Sequence, residues 1–68
     1  MIRRGDEFRI GPLRIPVLDN SNGRCSVITL YGESGALGWA GSIDEEILDR
    51  LAEEDGVVVH RSTRKSQK

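Results

Sequence analysis

Arg24-Cys25-Ser26-Val27-Ile28-Thr29-Leu30-Tyr31, followed directly by Gly32-Glu33-Ser34-Gly35-Ala36-Leu37-Gly38-Trp39-Ala40-Gly41, is the stretch on which the fold turns. Its first half alternates: Cys25, Val27, Thr29 and Tyr31 share one face and Ile28 and Leu30 the other. β-Branched and aromatic side chains at period two are those a pleated surface accommodates, so residues 24–31 read as a strand. Apolar groups on both faces point to a central strand covered on both sides. The second half has glycine at 32, 35, 38 and 41. Glycine costs more backbone entropy to order than any other residue, so this half reads as a flexible loop around two anchors, Leu37 and Trp39.

Upstream, Leu13, Ile15 and Val17 alternate with Arg14 and Pro16, the pattern of a half-buried strand. Pro16 has no N–H to donate, which predicts a sheet edge or a bulge. Asp19-Asn20-Ser21-Asn22-Gly23 is a turn signal, and residues 13–31 become a β-hairpin with a loop longer than two residues. Phe8 and Ile10 form a further short extended segment, stopped at Gly11-Pro12.

Downstream, Ser42-Ile43-Asp44-Glu45 fits a capping box, predicting a helix that opens at Ser42. Ile43, Ile47, Leu48, Leu51 and Ala52 then fall on one arc for packing against a sheet. Gly56 is placed to close that helix in the left-handed conformation, and Val57-Val58-Val59 reads as a short buried strand. The expected order is β-β-β-α-β: an α+β domain in which a β-hairpin and two short strands form a small antiparallel or mixed sheet with one helix on one face. A small bent β-barrel is the alternative, since glycine-rich kinks favour closure. Residues 1–60 form the single domain, and residues 61–68, without an apolar side chain, read as a basic, disordered tail.

Sixty-eight residues leave no room for separate substrate and cofactor lobes. The lone Cys25 permits no internal disulfide and reads as a small buried hydrophobe. No apolar run reaches the roughly 18 residues of a membrane span, and the start of the chain turns acidic at Asp6-Glu7 where a signal peptide turns apolar. With an unpaired cysteine, these features predict a cytoplasmic protein.

Catalytic and ligand motifs are incomplete. Val27 to Ala36 resembles the nucleophile elbow of carboxylesterases, a strand leading into a Gly-Glu-Ser turn, with Ser34, an acid and His60 in the order of a triad. The match breaks at Ala36, where G-x-S-x-G has glycine, and the large parallel sheet that presents such an elbow cannot be built here. No lysine or arginine lies between Cys25 and Asp49, and neither phosphate-binding glycine signature is present. One cysteine and one histidine cannot assemble a structural zinc site. The expectation is no enzyme, no cofactor and no metal.

The net charge of -1 hides a segregation. Residues 44–55 carry seven acids and one base, whereas residues 60–68 carry four bases and no acid. Glu45, Glu46, Asp49 and Glu53 share the predicted helix face away from the apolar arc. Such a face is ordinarily only solvated, but it also steers a basic partner surface. Trp39 either lids the core or anchors an interface, where tryptophan is enriched.

The sequence therefore predicts a protein–protein interaction module, a small accessory or phage-encoded regulator of a larger host protein, that self-associates as a homodimer through its sheet. Leu37, Trp39, Glu45, Glu46, Asp49 and Glu53 are the candidate contacts. The alternative is a nucleic-acid-binding regulator using Arg3, Arg4, Arg61, Arg64 and Lys65.

Overall fold

The computed structural model describes residues 2–62. Five strands and one helix follow in the order β1 (Glu7–Ile10), β2 (Leu13–Ser21), β3 (Arg24–Tyr31), β4 (Ala36–Asp44), α1 (Glu45–Leu51) and β5 (Val57–His60). The α+β class holds. The order differs by one element, because residues 36–44, expected as loop and helix start, form a nine-residue strand. All pairings are antiparallel, and the sheet runs β4-β3-β2-β1-β5. Its two ends, β4 and β5, do not meet, so the barrel alternative is overturned.

The glycines that suggested a loop serve a hairpin. Gly32 and Gly35 make the turn, closed by the Gly35 N–H donating to the Gly32 carbonyl at 3.3 Å. Gly38 is the extra residue of a bulge: Thr29 pairs with Trp39 but Leu30 pairs with Leu37, and one residue is left unpaired. Gly41 lies beneath the Trp39 indole, where a Cβ would come within 2.4 Å of the ring. Gly38 and Gly41 leave no room for a side chain, whereas Gly32 and Gly35 are needed for their positive φ of 63° and 69°.

The β2–β3 connection is also tighter than its polar sequence suggests. Ser21 pairs with Arg24, leaving Asn22 and Gly23 as a two-residue loop with φ of 54° and 88°. Two successive positive φ values match the right-handed twist of the flanking strands, and Asn-Gly adopts them at least cost. Pro16 does not put β2 at an edge, since β2 lies between β1 and β3. Instead, pairing with β3 lapses between Arg14↔Leu30 and Val17↔Val27 and then slips by one residue between Val17 and Asp19. Gaps and bulges are where a residue without an N–H is tolerated.

The helix starts at Glu45, three residues later than the capping box implied. Ser42, Ile43 and Asp44 are held on β3 opposite Ser26, Cys25 and Arg24. Asp44 makes no side-chain cap because its carboxylate takes the Arg24 guanidinium at 2.7 Å. Seven residues remain helical, of which Leu48 alone is buried; Ile47, expected on the apolar arc, is 54% exposed. Gly56 does adopt positive φ, but in the turn before β5, beyond the Ala52 C-cap.

The register puts the core on one side of the sheet. Phe8 faces Ile15 and Val59, and Val17 faces Val27. Phe8, Ile15, Val17 and Val27 form the buried cluster with Cys25, Ile2 and Leu48, and Val59, partly buried, packs against it. Burying one such side chain contributes about 1.5–3 kcal/mol, and Phe8 is fully enclosed. Asp6, 1% exposed, accepts from the Arg3 N–H at 3.1 Å, the Arg61 guanidinium at 3.3 Å and the Ser62 N–H at 2.6 Å. Residues 61 and 62, the start of the expected tail, are thereby fastened to the domain, and residues 63–68 lie outside the described residues.

Candidate functional site

The outer side of the sheet carries Arg9, Arg14, Ile28, Leu30, Leu37 and Ala40, by the alternation of the paired strands. The helix packs with the core on the other side, through Leu48. Ile28 and Leu30 are half-buried, which corrects the expectation that β3 is covered on both sides. Leu37, opposite Leu30, is 66% exposed.

Trp39 does not share that face. The Gly38 bulge breaks the period of two, so Leu37 is on the outer side while Trp39, opposite Thr29, is on the core side at the free edge. Trp39 is 48% exposed, and its ring rests on Gly41. The two anchors therefore present apolar surface on both sides of one strand.

That strand is itself unpartnered along one side. β4 has a single neighbour, β3, and an edge strand leaves alternate N–H and C=O groups unpaired. From Ser34 to Ile43 it carries no charged residue. Sequence reading missed this edge because four glycines outweighed the alternation of Trp39, Gly41 and Ile43, which was the signal for a strand.

The acidic residues are less unified than a helical wheel suggests. Glu45 is half-buried and its carboxylate accepts the Ile2 N–H at 3.2 Å. Asp49 is also half-buried, Glu46 is exposed, and Glu53 is exposed beyond the end of the helix.

The basic candidates are divided as well. Arg3 and Arg4 border an open cleft of about 410 Å³, with Asp19 and Glu45 also in its lining, so two cations meet two anions. Arg61 is engaged with Asp6. Arg64 and Lys65 lie outside the described residues. Not singled out from sequence were Arg9 and Arg14, cross-strand partners bordering a second cleft of about 350 Å³ with Pro12, Gly32 and Glu33. Like charges directly opposite each other disfavour a sheet pairing, and Arg9 is offset by Glu7 at 2.8 Å.

Ser34 and His60 are not brought together. Ser34 lies in the β3–β4 turn and His60 ends β5 at the other edge, three strand spacings of about 4.8 Å from β3. Among the described residues, no three His, Cys, Asp or Glu side chains cluster as metal ligands, and no helix is long and apolar enough to cross a membrane. Cys25 is buried; its thiol is pushed above its ordinary value of 9.0 by burial first and then by Glu45, Asp49, Asp19 and Asp44. Comparison with protein-family models, curated proteins and solved structures finds no match.

Proposed function

We propose that this protein is a non-enzymatic protein-interaction module, a small cytoplasmic accessory or regulatory protein whose binding surface is the β4 edge together with the adjoining outer sheet face. The observation that carries the reading is β4 itself: nine residues at a sheet edge, uncharged from Ala36 to Ile43, with Leu37 66% and Trp39 48% exposed. Native sheets blunt long edges with charge, proline, bulges or a covering element. Here the Gly38 bulge is the one such device, and an exposed apolar patch bordered by polar groups suits a protein partner.

The test is retention of a partner from an extract of the source organism by immobilised wild type, by Leu37→Arg and by Glu54→Arg. Leu37 is exposed, so its replacement leaves the core intact. The proposal predicts a protein retained by wild type and Glu54→Arg but lost with Leu37→Arg. Equal retention by all three contradicts it.

A further inference from the structure

We infer, building on that reading of the β4 edge, that its partner is a second copy of this chain: two β4 strands pair antiparallel about a two-fold axis at Gly41. The two five-stranded sheets become one.

The two sheet edges differ in what they invite. β5 is four residues long, and short edge strands offer little to pair with. β4 is nine residues long, and its charge-free run lets an identical strand approach without like charges meeting. Asp44, at its end, is already neutralised by Arg24 at 2.7 Å. In the assembly both β4 edges disappear and only the short β5 edges remain.

The side chains choose the register. A two-fold axis perpendicular to the sheet keeps both cores on the same side, so each residue meets one from its own face. From Trp39 onward the core side carries Trp39, Gly41 and Ile43 and the outer side Ala40 and Ser42, as their β3 partners show. Centring the axis on Gly41 sets Trp39 opposite Ile43 of the second copy and Ala40 opposite Ser42. Aromatic–β-branched cross-strand pairs are among the favourable ones. Gly41 then faces Gly41, and because each indole already rests on its own Gly41, two indoles border the axis with no side chain between them. Centring on Ala40 instead sets Trp39 against glycine and, past the Gly38 bulge, Ile43 against Leu37, which belongs to the opposite face.

Sedimentation velocity from about 5 μM to about 1 mM, the range in which modest interfaces saturate, tests the assignment. Wild type is expected to pass from monomer to dimer. Ala40→Lys and Ser42→Glu, both at exposed positions, are each expected to raise the dissociation constant about tenfold, a change of about 1.4 kcal/mol. Mixing the two variants sets an introduced cation opposite an introduced anion and is expected to restore association. A dimer indifferent to Ala40→Lys, or variants that fail to recover on mixing, would overturn this pairing. So would a wild type that stays monomeric throughout; if such a monomer still bound another protein through Leu37, the interaction reading would stand and the second copy would not.

Discussion

One carboxylate fastens three parts of the chain. Asp6 is buried and takes donors from the N-terminal turn at Arg3 and from Arg61 and Ser62 after the last strand. Removing it leaves two partly buried amides and a guanidinium without their acceptor, a cost of about 2–3 kcal/mol. Asp6→Ala is therefore expected to lower the urea midpoint by that equivalent, with Asp6→Asn, which keeps an acceptor, losing less. A loss below about 0.5 kcal/mol for Asp6→Ala would contradict this role. Cys25 gives a pH signature. Its thiol ionises above 9.0 in the fold, so as pH rises through that value the unfolded chain loses its proton first. The unfolded state then binds fewer protons and stability falls. Urea unfolding at pH 8 and about pH 10 should show a steeper loss for wild type than for Cys25→Ala; parallel losses would contradict it. The burial of Cys25 was legible from its place in an alternating strand. The role of Asp6 was not, because its partners lie up to 56 residues away in sequence.

At the scale of elements, alternation revealed β1, β2 and β3 and concealed β4, while the valine run revealed β5 but not its place, for β5 is an edge strand with Val58 55% exposed and not a fully buried one. A strand is recognised by its side chains, and Gly38 and Gly41 on either side of Trp39 have none. What makes β4 a strand is tertiary: Tyr31 lies over Gly38 and Trp39 over Gly41, contacts that the spacing of glycines does not announce. The helix was visible as an apolar arc but drawn too long, since the residues offered as its cap are claimed by β3. Its two central apolar residues now separate by burial. Leu48→Ala is expected to cost about 2–4 kcal/mol, as buried leucines do, whereas Ile47→Ala, at a position 54% exposed, should change stability by less than about 0.5 kcal/mol. Thermal or urea unfolding of the pair checks the helix's orientation; comparable losses would mean that α1 is rotated from the geometry described. Trp39 reports on β4 directly. It is the sole tryptophan, so Gly41→Val, which drives a side chain into the indole, should red-shift the emission, and an unchanged spectrum would remove the ring from Gly41.

The whole molecule is a sheet covered on one side. Ile2 and Leu48 are part of the buried core, while β4 has β3 as its one strand neighbour and Ile28, Leu30 and Leu37 on the outer side are half-buried or exposed. That a second layer was needed could be argued from the apolar residues on both faces of β3. Where it would attach could not, because the edge depends on a strand order that places β4 and β5 at opposite ends. Charge segregation is the most visible whole-chain pattern in the sequence, and some of its charges have a structural use. Glu45, Asp6 and Arg61 are engaged in fastening the chain. The central claim is that β4 is an open edge used for association, and amide hydrogen exchange at low and high protein concentration tests it most directly. Protection of the amides from Ala36 to Ile43 is predicted to rise with concentration while that of β5 stays constant; protection of β4 that is independent of concentration would contradict the account.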